Sequence, residues 1–132
     1  MNENFAIGNF VLDVIKDREI CIKSDGTAYR SYLYLADVAL WLVTILLNGK
    51  NGASYNVGSE HPISIVDLAK MIKRIYGSKK IIRIEKTIKK QSKPSFYIPS
   101  TLIAQKTLNL QEHFPFEEGV KKTIRYAELI YL

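Results

Sequence analysis

The chain has 132 residues, of which 47% are hydrophobic and 24% are charged, and its formal net charge is +6. This composition is typical of one globular domain and excludes a disordered protein. The single cysteine, Cys21, excludes an internal disulfide framework and favours a reducing compartment. The polar start of the chain predicts no signal peptide, and the longest apolar run, residues 38–47, is too short to span a bilayer. We therefore expect a cytoplasmic location and no membrane partner.

Helices and strands are predicted to alternate along the chain, which indicates an α/β fold. Apolar residues recur on one helical face after Asn4, a candidate cap, and predict the first helix. The later elements predicted are strands at 19–23 and 31–35, a helix at 36–47, a strand at 54–57, a helix from residue 65 to Gly77, a strand at 81–84, a helix at 99–108 and a last helix after Pro115. Residues 87–99 are predicted to be irregular.

Several local signals predict where these elements end. Asp25-Gly26 is a turn dipeptide between the first two strands, because glycine tolerates positive φ. Asp37 is placed to cap the helix at 36–47, and Asn48-Gly49 is a natural stop for it. Ser64, with Asp67 three residues later, forms a start that resembles a capping box.

Arg30 is the strongest candidate for a binding residue. It lies between the Asp25-Gly26 turn and the aromatic and aliphatic residues that follow it. A guanidinium held in such a place is suited to bidentate contact with a phosphate. An ordinary surface arginine after a turn is the alternative that the local sequence leaves open.

The positive charge is concentrated in residues 70–93, which hold ten Lys/Arg against one acid, Glu85. Such a segment is attractive to nucleic acid or to an anionic surface. It carries no recognisable nucleic-acid-binding motif and no interleaved aromatic residues that are expected to be exposed for base stacking. A solvated basic face is therefore favoured over phosphate steering, and both are favoured over nucleic-acid binding.

No catalytic, cofactor-binding or metal-binding residues are predicted in this chain. There is no glycine-rich turn between a strand and a helix, and Gly49-x-x-Gly52 follows a helix. The spacing Tyr76-x-x-x-Lys80 occurs once, but Gly77 interrupts the helix that would align the two side chains. The two histidines share no metal-ligand spacing with Cys21 or the carboxylates.

Four short features follow one another in a fixed order. They are Gly-Thr-x-x-Arg-Ser-Tyr-x-Tyr-x-x-Asp at 26–37, the apolar helix, Tyr-Asn-Val-Gly-Ser at 55–59 and Ile-Ser-Ile at 63–65. This order resembles the C-terminal part of extended short-chain dehydrogenases/reductases, the NAD-dependent nucleotide-sugar epimerases and dehydratases. Within them it is similar to the sugar 4,6-dehydratase and 4-epimerase branch of surface polysaccharide synthesis. The resemblance covers about residues 5–124.

The resemblance implies a single substrate-lobe domain at 1–132, a fragment of a Rossmann-type enzyme. Residues 31–57 would belong to the edge of the missing Rossmann sheet. NAD would be bound by the missing N-terminal half, so this chain alone is expected to bind no cofactor and to catalyse no reaction. In the complete enzymes, NAD takes a hydride from C4 of the sugar before dehydration or epimerisation. A non-catalytic module that binds a nucleotide or a protein is the alternative.

The resemblance also implies a partner, a nucleotide diphosphate sugar, and four substrate-binding residues. Arg30 would contact the diphosphate, and Lys93 is the one basic residue near the place where the family often has a second arginine. Phe5 and Asn9 fall in the first helix, in the region that lines the nucleotide side of the family's pocket. Core packing or plain helix surface is the alternative for both.

The helix at 36–47 is apolar on every side, whereas a surface helix normally shows a polar face. In the resembled family this helix lies between the Rossmann sheet and the substrate lobe. Its outer surface is therefore expected to meet the absent N-terminal half or, without it, a second copy of the chain.

Overall fold

The structure is a computed structural model, and it describes residues 5–86 and 93–132. The proposed Asn4 cap, and residues 87–92 of the predicted irregular stretch, lie outside the described residues. The helices and strands are α1 (Ala6–Ile15), β1 (Ile20–Ile22), β2 (Tyr29–Arg30), α2 (Leu35–Asn48), β3 (Ile63–Ser64), α3 (Ile65–Tyr76), β4 (Ile82–Ile84), β5 (Phe96–Tyr97), α4 (Leu102–Leu108) and α5 (Phe116–Tyr131). The predicted α/β class is confirmed.

The strands form two small sheets. In the first, β1 and β4 run parallel, with Ile20 opposite Ile82. In the second, β2 is central and pairs antiparallel with β3 and parallel with β5. The strands on either side of the Asp25-Gly26 turn therefore belong to different sheets. Gly26 adopts the positive φ of 76° that the turn requires.

The main core lies where α1, α3 and α5 pack together over β1. The three helices each show apolar residues at helical spacing, and those residues meet at this junction. Its most fully buried members from α1, β1, α3 and α5 are Val14, Ile20, Ile22, Leu68, Ala69, Ile72 and Val120.

Helix α3 begins and ends as its sequence predicts. The Ser64 hydroxyl accepts a hydrogen bond from the Asp67 amide at 3.1 Å and donates to the Asp67 carboxylate at 2.6 Å. This second bond holds the pKa of Asp67 below its ordinary value. At the other end, Gly77 adopts the left-handed conformation, and its amide donates to the carbonyl of Lys73 at 3.0 Å.

The strand predicted at 31–35 is wrong. The ladder lies just before it, at Tyr29–Arg30, and α2 already begins at Leu35. The alternating aromatic residues that suggested a strand have a different role, because the Tyr32 ring stacks on Phe116 with the centroids 5.6 Å apart. Packing against α5 replaces pairing with another strand.

The strand predicted at 54–57 is also wrong, since no described residue pairs with this segment. A strand requires a partner for its backbone groups, and β propensity alone does not supply one. The prediction that residues 87–99 are irregular is wrong at Phe96–Tyr97, which forms β5. The helix predicted from residue 99 begins slightly later, at Leu102.

Asp37 does not cap α2, which contradicts the prediction. It lies in the first turn of the helix, and its buried carboxylate accepts hydrogen bonds from the amides of His113 and Phe114, each at 3.1 Å. One turn later, the Trp41 indole donates to the carbonyl of Gln111 at 3.1 Å. The inner side of α2 is thereby attached to the segment that precedes α5.

The opposite side of α2 is exposed. Six large apolar side chains of this helix reach solvent: Leu35, Leu40, Leu42, Val43, Leu46 and Leu47. The helix is 14 residues long, and none of the helices within residues 5–86 and 93–132 has the length and apolar content needed to cross a membrane.

Candidate functional site

A groove of about 930 Å³ runs between α1, the end of β1, the segment after β2 and the residues after β5. Three of the four predicted binding residues line it, namely Phe5, Asn9 and Arg30. Phe5 and Asn9 come from the start of α1, whereas Arg30 comes from the central strand of the second sheet. The fold therefore brings together residues that lie more than one element apart in the sequence.

Arg30 is half-buried, and its recorded hydrogen bonds to described residues all use Nη1. This nitrogen donates to the carbonyl of Tyr29 at 2.6 Å, and to the hydroxyl and carbonyl of Ser95 at 3.1 and 3.3 Å. A guanidinium presents five N–H donors in a planar fork. Holding one nitrogen fixes the orientation of the fork while Nε and Nη2 are left to meet an anion.

Strand β5 provides the support on the far side of Arg30. The Tyr29 amide donates to the Ser95 carbonyl at 2.8 Å, and the rings of Tyr29 and Phe96 stack with their centroids 4.6 Å apart. Ser95 is 65 residues away from Arg30 along the chain. The sequence carried no signal for this pairing, because β2 and β5 come together only through the tertiary fold.

The other predicted residues differ in their positions. Phe5 is 68% exposed, so the core-packing alternative is wrong for this residue. Asn9 is half-buried in the groove wall. Lys93 is exposed and lies outside the groove lining. Of the two residues predicted to contact phosphate, Arg30 and Lys93, only Arg30 lines the groove.

Further groove residues were missed by the sequence prediction. Lys23 and Asp13 add one charge of each sign to the lining, and Tyr97 adds an exposed ring. Lys23 stands two residues before the Asp25-Gly26 turn, which is the signal that could have identified it. Tyr32 also lines the groove, and burial raises the pKa of its phenol, so it stays neutral near pH 7.

The basic segment is partly neutralised by acids from other elements. Four of its eight described Lys/Arg residues form ion pairs with such acids or with neighbours: Lys70 with Asp67, Arg74 with Glu117, Lys80 with Asp17, and Arg83 with Glu19. The paired charges attract a polyanion less strongly than the sequence count suggests. This arrangement favours the solvated basic face over the nucleic-acid alternative.

Neither the Gly49-x-x-Gly52 segment nor the Tyr76-x-x-x-Lys80 spacing has the geometry that its motif requires. Gly49 follows the C-terminal end of α2, where carbonyl groups rather than N–H donors would face a pyrophosphate. Tyr76 is the last residue of α3, and Lys80 beyond it pairs with Asp17 at 3.0 Å. Across the described ranges there is also no cluster of three or more His, Cys, Asp or Glu side chains suited to a metal.

The fold is similar to a portion of solved nucleotide-sugar epimerases and related enzymes. The structure of UDP-glucose 4-epimerase from Thermotoga maritima with UDP-glucose is similar with a TM-score of 0.85 and 24% identity, covering 99% of this chain and 41% of that one. The structure of the Bordetella bronchiseptica enzyme WbmF in complex with NADH is similar with a TM-score of 0.82 and 23% identity. The match covers 95% of this chain and 37% of that one. At these identities the likeness defines the Rossmann-type fold class.

Sequence relatives support the same comparison. The chain is 31% identical over 125 residues to dTDP-D-glucose 4,6-dehydratase of Mus musculus and 29% identical over 126 residues to UDP-glucuronic acid decarboxylase 1 of Xenopus tropicalis. The two matches cover 92% and 96% of this chain, respectively. They cover only 35% and 29% of the relatives. No protein-family model matches the sequence. These similarities confirm the predicted resemblance to the C-terminal portion of the extended short-chain dehydrogenases/reductases.

Proposed function

We propose that this chain supplies the nucleotide-sugar-binding part of an NAD-dependent nucleotide-sugar 4,6-dehydratase or 4-epimerase, with the groove at Arg30 as the binding site. The observation that supports this most is the fixed guanidinium of Arg30, a residue of the groove lining whose Nη1 is held by Tyr29 and Ser95. The names of relatives and solved neighbours, which include dTDP- and UDP-sugar enzymes, support the same class of ligand. Surface polysaccharide synthesis is the expected setting.

In this proposal the chain's own residues bind and orient, and they carry out no chemical step. Arg30 offers charge-assisted hydrogen bonds to the diphosphate. Phe5 and Tyr97 offer exposed rings to the apolar parts of the ligand, and Asn9 offers a polar group on the α1 side. Lys93 is proposed only as a peripheral charge. NAD and the catalytic tyrosine belong to the part of the enzyme that corresponds to the remainder of the relatives.

Isothermal titration calorimetry with UDP and with dTDP tests this proposal. Arg30→Ala is expected to weaken binding by about 10- to 100-fold, since a hydrogen bond to a charged group contributes about 1.5–3 kcal/mol. Arg125→Ala is the matched control, because it removes the same charge from an exposed site on α5 outside the groove. Equal affinity of Arg30→Ala and the unaltered chain would overturn the proposal. RNA binding that falls steeply with salt and ignores Arg30 would favour the nucleic-acid alternative instead.

A further inference from the structure

Ser95 connects the Arg30 guanidinium to a distant part of the chain. The Nη1 nitrogen of Arg30 donates to three oxygens, and one of them, the Tyr29 carbonyl at 2.6 Å, belongs to the preceding residue of the same strand. The other two are the hydroxyl and the carbonyl of Ser95, at 3.1 and 3.3 Å, from a residue 65 positions later. Within residues 5–86 and 93–132, Ser95 thus supplies the hydrogen bonds that tie this guanidinium to another element.

The strand register explains why the Ser95 hydroxyl meets Arg30. In the parallel pairing of β2 with β5, Tyr29 lies opposite Phe96 and Arg30 lies opposite Tyr97. Side chains alternate between the two faces of a sheet, so Ser95 and Tyr97 share the face that Arg30 uses. The stacked rings of Tyr29 and Phe96 occupy the other face. The segment that forms β5 therefore brings together a residue that holds the guanidinium and, in Tyr97, a residue of the groove lining.

Holding Nη1 decides which edge of the guanidinium a ligand can use. Nη1 carries two N–H donors, and three protein oxygens already lie within 3.3 Å of it. Nε and Nη2 form the adjacent edge of the planar group, and their N–H groups match two oxygens of one phosphate. A diphosphate bound at Arg30 is therefore expected to meet the edge formed by Nε and Nη2.

An arginine that is oriented in advance binds an anion more tightly than a mobile one. The side chain has many rotamers, and ordering it at the moment of binding reduces the affinity. Arg30 is only half-buried, so its hydrogen bonds contribute to its order as well as its packing. The Tyr29 carbonyl is a backbone group that no side-chain substitution removes. The Ser95 hydroxyl, in contrast, is a support that a substitution can test.

We propose that Ser95 is a positioning residue for the diphosphate: its hydroxyl holds Nη1 of Arg30 and thereby presents the edge formed by Nε and Nη2 to the ligand. The inference rests on the proposed function, because it concerns the same groove. It adds a residue that lies outside the groove lining and acts on the ligand through Arg30.

A double-mutant cycle tests the proposal on the full chain, with affinities for UDP measured by NMR titration. Ser95→Ala is expected to weaken UDP binding by about 3- to 10-fold, which is the effect of having to order one long side chain on binding. In the Arg30→Ala background the same substitution is expected to change the affinity by less than about 2-fold, because the hydroxyl then has no guanidinium to hold. A purely structural role in β5 would weaken binding by the same factor in both backgrounds.

Two further variants make the test specific to the hydroxyl. Ser95→Thr keeps a hydroxyl on a side chain that suits a strand, and is expected to bind UDP within about 2-fold of the unaltered chain. Ser100→Ala is the matched control, because it removes a serine hydroxyl from an exposed position of the same segment outside the groove lining. It is expected to leave the UDP affinity unchanged. Circular dichroism checks that every variant keeps its helix content.

The outcomes separate this proposal from the proposed function. A loss of affinity in Ser95→Ala that Ser95→Thr restores, and that disappears in the Arg30→Ala background, supports it. An unchanged affinity in Ser95→Ala, a loss that Ser95→Thr does not restore, or an equal loss in both backgrounds overturns the positioning role alone. Equal UDP affinity of Arg30→Ala and the unaltered chain overturns the positioning role and the proposed function together.

Discussion

Helices α2 and α3 have similar lengths, 14 and 12 residues, but the fold uses them in opposite ways. The apolar residues of α3 lie on one side and are completely buried at Leu68, Ala69 and Ile72. Those of α2 surround the helix, and among them only Trp41 is fully buried. The contrast shows that apolar content predicts burial only when a polar face tells which side turns inward. An apolar helix without such a face indicates a surface that needs cover from outside the described residues.

The largest expected effect comes from shortening a leucine in each helix. Leu68→Ala in α3 is expected to cost about 2–5 kcal/mol of unfolding free energy, because it leaves a cavity in the core. Leu42→Ala in α2 removes the same atoms from an exposed site. It is expected to change the unfolding free energy by less than about 0.5 kcal/mol. Urea unfolding of both variants at the same protein concentration measures the two costs. Equal costs would mean that α2 is as well buried as α3.

The attachment of α2 offers a second test. Asp37→Ala is expected to cost about 2–3 kcal/mol, because it removes a buried carboxylate and leaves the amides of His113 and Phe114 without their acceptor. His113→Ala removes only the half-exposed ring, whose Nδ1 lies 3.2 Å from the carboxylate, and is expected to cost less than about 1 kcal/mol. Thermal unfolding measures both. If His113→Ala cost as much as Asp37→Ala, the side-chain pair rather than the backbone bonds would hold the helix.

The smallest expected effect concerns the start of α3. Ser64→Ala removes the cap and is expected to cost about 1 kcal/mol near neutral pH. The Ser64 hydroxyl lowers the pKa of Asp67, so this bond stabilises the fold above the ordinary pKa of the carboxyl. Its contribution is lost as the pH falls through the lowered pKa. The difference in unfolding free energy between the two proteins should therefore become smaller in acid, where only the cap bond from the Asp67 amide remains. A difference that does not vary with pH would contradict the role given to the Asp67 carboxylate.

Local signals in the sequence predicted the parts of the fold that depend on neighbours in the chain. The helical spacing in α1, α3 and α5, the Ser64 cap and the Gly77 stop all needed only a few consecutive residues. The pairing of β1 with β4 and of β2 with β5 could not be predicted, because each joins segments about 60 residues apart. The predicted strand at 31–35 was wrong for the same reason, since its aromatic residues pack on a distant helix.

The candidate site also contains residues that the sequence predicted and residues that it missed. Arg30 was identified from its place after a turn, and Phe5 and Asn9 from a resemblance to a family. Ser95 was missed, because nothing in the local sequence indicates that a serine 65 residues later will hold the guanidinium. Lys93 lies near a motif in the sequence but outside the groove lining, so closeness along the chain did not bring it into the groove.

The most direct test of the central claim, that the groove at Arg30 binds a nucleotide diphosphate, is a titration of the ¹⁵N-labelled chain with UDP followed by NMR. We expect saturable shifts in the backbone amides of Asn9, Arg30 and Tyr97, from three elements around the groove, and little change on α5. Shifts that instead follow the basic residues of α3 and β4, or that persist unchanged in Arg30→Ala, would contradict the account.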